Sequence, residues 1–277
     1  MMKKKIACLV LAALLMLPSG CADKNVEKEK EVYRVLFIGN SYTHFNNMPD
    51  QLFRQIAENA GYQVKVSTVT KGAWTLEKFA NPQDSFGALV AEELDPQFEQ
   101  QYDYVVLQEQ SFRPAGAEVA LFYDAVRNLT ERIRAVGAEP ILYATWGYRT
   151  GHEILATEGL TTESMTWKLA AAYGAIGEET QTQVAYVGLA FRAADAAGPV
   201  QLYDEDCSHP TADGSYLAAL TLACRIFGEE ANTQWVKGLI SEEYAEILCN
   251  AANEAVFQTP QIPKEYQTSS VGVTSAK

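Results

Sequence analysis

Three residues of this 277-residue chain have the types for nucleophilic acyl chemistry: Ser41, His209 and Asp206. Serine alone is a weak nucleophile. It needs a base, usually histidine, held in one tautomer by a carboxylate. The chain has three histidines. His209 stands in Asp206-Cys207-Ser208-His209-Pro210, where Asp-x-x-His spacing lets one loop present both side chains. The carboxylate would accept from one ring nitrogen while the other faces outward. His44 and His152 read as exposed loop histidines, Asp204 and Glu205 as loop charges. Cys207 lies two residues from the same histidine on a tight loop, poorly placed to attack as a nucleophile.

These residues must be positioned by elements far apart in the chain. Ser41 follows the apolar run Val35-Leu36-Phe37-Ile38, which reads as a buried strand ended by the turn-forming residues Gly39, Asn40 and Ser41. A serine there sits at the carboxyl edge of a parallel sheet, where open α/β folds bind their ligands. Pro49 opens a helix that Gly61 stops. Further strands are expected near Val64–Thr70, Tyr104–Leu107, Pro140–Ala144 and Val184–Val187. The clearest helix carries Val119, Phe122, Val126, Leu129, Ile133 and Val136 at helical spacing. Leu76–Ala80 and Phe86–Leu94 read as short helices, and Met165 to Ile176 as a longer one. After a polar loop, a helix with Leu217, Leu220, Cys224 and Phe227 ends at Gly228, and another follows Ser241. Alternating strands and helices predict an α/β fold with helices on both faces of a five-stranded parallel sheet in flavodoxin-like order.

Composition narrows the partners. The chain is 48% hydrophobic with a net charge of −13, which suits a folded α/β domain and disfavours nucleic acid. Three lysines, the apolar run Ile6–Leu17 and small residues before Cys21 describe an export signal over residues 1–20. The small residues before Cys21 resemble a bacterial lipoprotein cleavage site, with ordinary signal-peptidase cleavage as the alternative. On this reading Cys21 is lipidated and residues 21–31 are a charged tether. The protein is then exported and held at the membrane through that lipid, at the cell surface or in the periplasm. The domain spans 32–258, and 259–277 form a loose tail. Cys207, Cys224 and Cys249 leave an odd number in the domain, and no Cys-x-x-Cys or His-x-His pair suggests a metal site. No cofactor is expected.

Gly39-Asn40-Ser41 after the first strand, Gly72 after the second, and Asp206-x-x-His209 before the last core helices resemble the SGNH (GDSL-like) hydrolases over roughly residues 33–228. That resemblance implies a three-layer α/β/α sandwich and ester hydrolysis, with Ser41 as nucleophile, His209 as base and Asp206 orienting the imidazole. It also implies an oxyanion hole from the main-chain N–H groups of Ser41 and Gly72 with a side-chain amide. The family usually has Gly-x-Asn-Asp after the third strand. Here the stretch is Leu107-Gln108-Glu109-Gln110-Ser111, so a glutamine must supply the amide: Gln108 by preference, Gln110 as the alternative. Leu-Gln-x-x-Ser at this place, with Thr145-Trp146-Gly147-Tyr148, resembles a bacterial branch of the superfamily. Trp74 and Trp146 lie near the same sheet edge and read equally as sugar-stacking or core residues.

The expected function is therefore an exported serine esterase removing a small O-acyl group, acetyl above all, from a carbohydrate. Two rivals stand beside it: a surface carbohydrate-binding protein that kept the fold without catalysis, and a flavodoxin-like nucleotide binder.

Overall fold

Strand β1 (Val32–Gly39) is paired on both sides, by β2 (Gln63–Thr70) and by β3 (Tyr104–Leu107). The sheet continues through β4 (Glu139–Tyr143) to β5 (Gln183–Ala185), all parallel, in the order β2-β1-β3-β4-β5. This is the flavodoxin-like order that successive right-handed crossovers produce. The structure is a computed structural model that describes residues 32–97 and 101–267. The expected export signal, Cys21 and the expected tether lie outside the described residues.

Side chains alternate across the strands and so define two cores. Val35 and Phe37 of β1 join Val106, Ile141 and Tyr143 on one face, while Leu36 and Ile38 join Val105, Leu107 and Leu142 on the other. All four of these β1 residues are fully buried, which explains why the strand reads as an unbroken apolar run. In chain order the helices are α1 (Ser41–His44), α2 (Arg54–Asn59), α3 (Leu76–Ala80), α4 (Ser85–Glu93) and α5 (Val119–Ala135). They continue as α6 (Glu153–Thr157), α7 (Thr162–Thr180), α8 (Val187–Ala197), α9 (Ala212–Phe227) and α10 (Glu242–Phe257). A π-helical stretch at Met48–Phe53 runs directly into α2. Residues of α8, α9 and α10 cover the first face, and residues of α3, α4, α5 and α7 cover the second. The result is a three-layer α/β/α sandwich.

Two departures have local causes. Helix α8 was not expected, because β5 ends at Ala185 and Val187 already begins the helix, so Val184–Val187 reads as one apolar strand. The strand signal ran into a helix with a single residue, Tyr186, between them. Residues 259–267, read as a loose tail, instead fold back along α7. There Pro260 and Ile262 help line a cavity of about 730 Å³ with Gly174 and Tyr186.

Candidate active site

The turn that carries Ser41 is built from below. A Cβ on Gly39 would sit 2.3 Å from Thr43 Oγ1 and 2.6 Å from Gln108 Oε1, so only glycine lets the chain pass this close. Asn40 then caps α1, its Oδ1 accepting from Tyr42 N at 3.1 Å. Its carbonyl accepts from Thr43 N and His44 N, and its Nδ2 donates to Trp74 O at 3.0 Å. Ser41 is thus the first residue of a short helix whose entry is fixed by the loops after β2 and β3.

His209 arrives from the loop before α9. Its Nε2 lies 2.9 Å from Ser41 Oγ, and its Nδ1 lies 2.5 Å from Asp206 Oδ2. An ionised carboxylate can only accept, so Nδ1 carries the proton and Nε2 presents its lone pair to the serine. Asp206 Oδ1 accepts from the N–H groups of Ser208 and His209 at 2.9 and 2.8 Å. Partial burial pulls the Asp206 carboxyl upward, but the His209 bond and these two N–H bonds outweigh it and hold the acid below its usual range. Cys207, between them, takes φ of +59° and makes the tight turn that brings carboxylate and ring together. It is a free half-buried thiol; Cys224 and Cys249 are free and buried, with burial pushing both thiols up. They are core residues.

Aromatic rings hold the histidine loop. Phe45 stacks on the His209 ring at 4.7 Å, and Tyr42 meets it edge-on at 5.6 Å. The Tyr42 hydroxyl pairs with Ser208 Oγ at 2.8 Å. Trp146 is fully buried between Tyr42 and Phe191, at 4.6 and 4.2 Å, and its Nε1 donates to Ser208 O at 3.0 Å. Trp146 therefore cannot stack on a sugar. It is a core residue that fixes the loop carrying His209. Trp74 is half-buried, its ring packed by Phe79, Phe86 and Lys78, and its link to the serine turn is its main-chain carbonyl. His44 is exposed, as expected. His152 is not a free loop residue: it stacks on Tyr148 at 3.8 Å and caps α6.

The donors for an oxyanion divide sharply. The main-chain N–H groups of Ser41 and Gly72 meet no acceptor among the described residues, and Gly72 is exposed. Gln108, the preferred amide, is fully buried. Its Oε1 accepts from Asn40 N and Thr43 Oγ1, both at 2.8 Å, which fixes the orientation of the amide because a main-chain N–H can only donate. Its Nε2 donates to Glu109 O. Gln108 is therefore a brace beneath the serine turn, with no face toward a substrate. Gln110 differs. It is half-buried, its Oε1 anchored by Phe112 N and Arg113 N at 3.0 Å each. Its Nε2 makes one long bond to Ser111 Oγ at 3.3 Å and lies beside the Tyr148 hydroxyl, which it also hydrogen-bonds.

Sequence reasoning passed over Tyr42, Phe45, Ser208 and Glu109. Position next to the serine or the histidine was the only signal for the first three. Glu109 was hidden because the motif reading weighed only the two glutamines beside it. Among the described residues, no group of three His, Cys, Asp or Glu side chains is placed to hold a metal ion.

Neither a family model nor a curated protein matches the chain. Among solved structures it is similar to a protein assigned to the SGNH hydrolases from Slackia heliotrinireducens, at 35% identity and a TM-score of 0.60. That match covers 70% of this chain and 98% of the other. The chain belongs to the SGNH hydrolases. A DUF4886 family protein from Bacteroides uniformis shares the fold at 16% identity and a TM-score of 0.64, over 82% of this chain and 96% of its own. So does a catalytic mutant of Axe2, an acetylxylan esterase from Geobacillus stearothermophilus, at 15% identity and 0.51, over 70% and 95%. This SGNH hydrolase is accordingly a serine hydrolase on a five-stranded parallel sheet. Among its described residues no helix is long and apolar enough to cross a membrane.

Proposed function

We propose that this SGNH hydrolase is an exported esterase that removes a small O-acyl group, acetyl above all, from a carbohydrate. The observation that carries the mechanism is the continuous hydrogen-bonded line from Ser41 Oγ through His209 to Asp206, 2.9 Å and then 2.5 Å. Ser41 Oγ attacks the acyl carbonyl as His209 Nε2 takes its proton. The resulting imidazolium is stabilised by Asp206 and returns that proton to the leaving sugar oxygen. Water, activated by the same nitrogen, then releases the acid. The N–H groups of Ser41 and Gly72 would hold the developing oxyanion, with the Gln110 amide in place of the buried Gln108. One such donor is typically worth about 3–4 kcal/mol in the transition state.

The carbohydrate assignment is supported by the fold shared with the acetylxylan esterase and by the N-terminal export pattern. The Lys3-Lys4-Lys5 flank, the apolar run and Cys21 are the basis for a lipid anchor at the membrane. Purified protein should hydrolyse p-nitrophenyl acetate, release acetate from acetylated xylo-oligosaccharides, and take up a fluorophosphonate probe. Ser41→Ala should abolish all three. Turnover that survives Ser41→Ala would overturn the mechanism, and turnover of the phenyl ester without any acetylated sugar would overturn the substrate class.

A further inference from the structure

Glu109 is fully buried, yet the mechanism above gives it no role. Its Oε1 accepts two main-chain hydrogen bonds, from Leu76 N at 3.1 Å and from Gln110 N at 2.6 Å. Those two N–H groups belong to different loops. Leu76 opens α3 and ends the loop that carries Gly72; Gln110 lies on the loop after β3. We propose that Glu109 is a positioning residue for the oxyanion side of the site, one oxygen fixing the distance between the Gly72 loop and the Gln110 loop. The inference rests on the oxyanion assignment of the preceding section.

Three observations support it. The main chain of Glu109 is itself anchored, its N–H donating to Tyr173 OH at 3.0 Å and its carbonyl accepting from Gln108 Nε2. Through Gln108 that anchor continues to Asn40 N and the serine turn. On the outside, Arg113 pairs with Glu77 at 2.8 Å and Glu118 at 3.0 Å, so a second contact crosses the same two loops. Finally, Glu109 Oε2 is buried with no hydrogen-bond partner among the described residues. A carboxyl so placed is costly, and an apolar side chain of the same size would avoid that cost. Such a side chain could not accept from Leu76 N and Gln110 N. Burial pushes the acid up to about 7, against the Gln110 and Leu76 N–H bonds and Arg113, with Glu77 adding to the rise. Tyr173 is the other titratable group facing it. Near neutrality the neutral acid is thus readily populated, and glutamine copies its shape and its accepting oxygen.

The test is steady-state kinetics on p-nitrophenyl acetate with the full-length enzyme. Glu109→Ala should lower kcat by about 100-fold, the size expected when a transition-state donor is misplaced by about 1 Å, while KM stays within about twofold. Glu109→Gln should keep kcat close to the parent enzyme. Should the alanine variant not fold, Glu109→Asp serves, because its stem is one carbon too short to reach both N–H groups; it should lose kcat in the same way. Parent-like kcat in Glu109→Ala or Glu109→Asp overturns the inference, as does a loss confined to KM or to thermal stability. So does a Glu109→Gln variant as slow as alanine. Turnover that persists in Ser41→Ala would instead sink the underlying mechanism, so the two failures are distinguishable.

Discussion

Asp206 accepts three hydrogen bonds with two oxygens, one from the His209 imidazole and two from its own loop. The same side chain therefore shapes the loop and sets the tautomer of His209. Asp206→Asn keeps the size and offers a carbonyl oxygen to the two N–H groups. It presents an amide donor to Nδ1, however, and so favours the tautomer in which Nε2 carries the proton. The expected outcome is a fall in kcat on the order of 10³–10⁴-fold with little change in thermal unfolding, read by steady-state kinetics and a melting curve. Gln108 shows the opposite case, a side chain whose type says nothing of the direction in which it points. The resemblance implies an amide near the serine, and two glutamines two positions apart could supply it. Only the packing tells that Gln108 spends both ends on Asn40, Thr43 and Glu109.

Among the elements, the turn after β4 does more for the site than its distance in sequence suggests. Trp146 fills the space between Tyr42 of α1 and Phe191 of α8, and its Nε1 is bonded to the main chain one residue before His209. Trp146→Ala removes that filling and leaves Ser208 O without its donor. A stability loss of about 3–5 kcal/mol is expected from the cavity, measured by urea unfolding. At temperatures where the variant stays folded, kcat should also fall, because the histidine loop loses one of its anchors. Helix α8 illustrates why part of this was not legible. A single residue separates it from β5, and periodicity over so short an apolar run does not distinguish strand from helix. Without α8, Phe191 and the burial of Trp146 could not be foreseen.

At the scale of the whole molecule, the buried acid couples stability to pH. In the unfolded chain the Glu109 carboxyl ionises near 4.5, in the folded protein at about 7. The unfolded state thus releases this proton first. The stability it provides is complete below about pH 4.5 and is lost as pH rises through about 7. The shift corresponds to a difference on the order of 3 kcal/mol. Urea unfolding of the parent protein and of Glu109→Gln, run from pH 4.5 to pH 8, should show the parent losing stability relative to the variant by roughly that amount. Parallel curves would mean that the carboxyl ionises in the folded protein as it does in the unfolded chain. Asp206 contributes in the other direction: its lowered folded value makes a stabilising term that disappears only as pH falls below the ordinary carboxylate range. Because Asp206 is exposed to solvent, that term is heavily screened.

The sequence by itself determined the strand order, the serine on the first strand end and the Asp-x-x-His loop. The strand order follows from alternating elements and the handedness of their crossovers, and the other two rest on local signals: an unbroken apolar run, turn residues at its end, and two chemical partners three residues apart. The sequence also offered two glutamines, Gln108 and Gln110, for the amide that the resemblance implies. What only the tertiary structure decided was which side chains face the site and which face the core. Gln108 and Gln110 are chemically alike, and Trp146 is apolar enough for either place, so no local rule separates them. Burial and hydrogen-bond partners are set by chains that arrive from far away: Asn40 beneath Gln108, Phe191 and Tyr42 around Trp146, and Leu76 against Glu109. The serine turn was legible because it is local. Its braces were not, because each joins residues that only the folded sheet brings together.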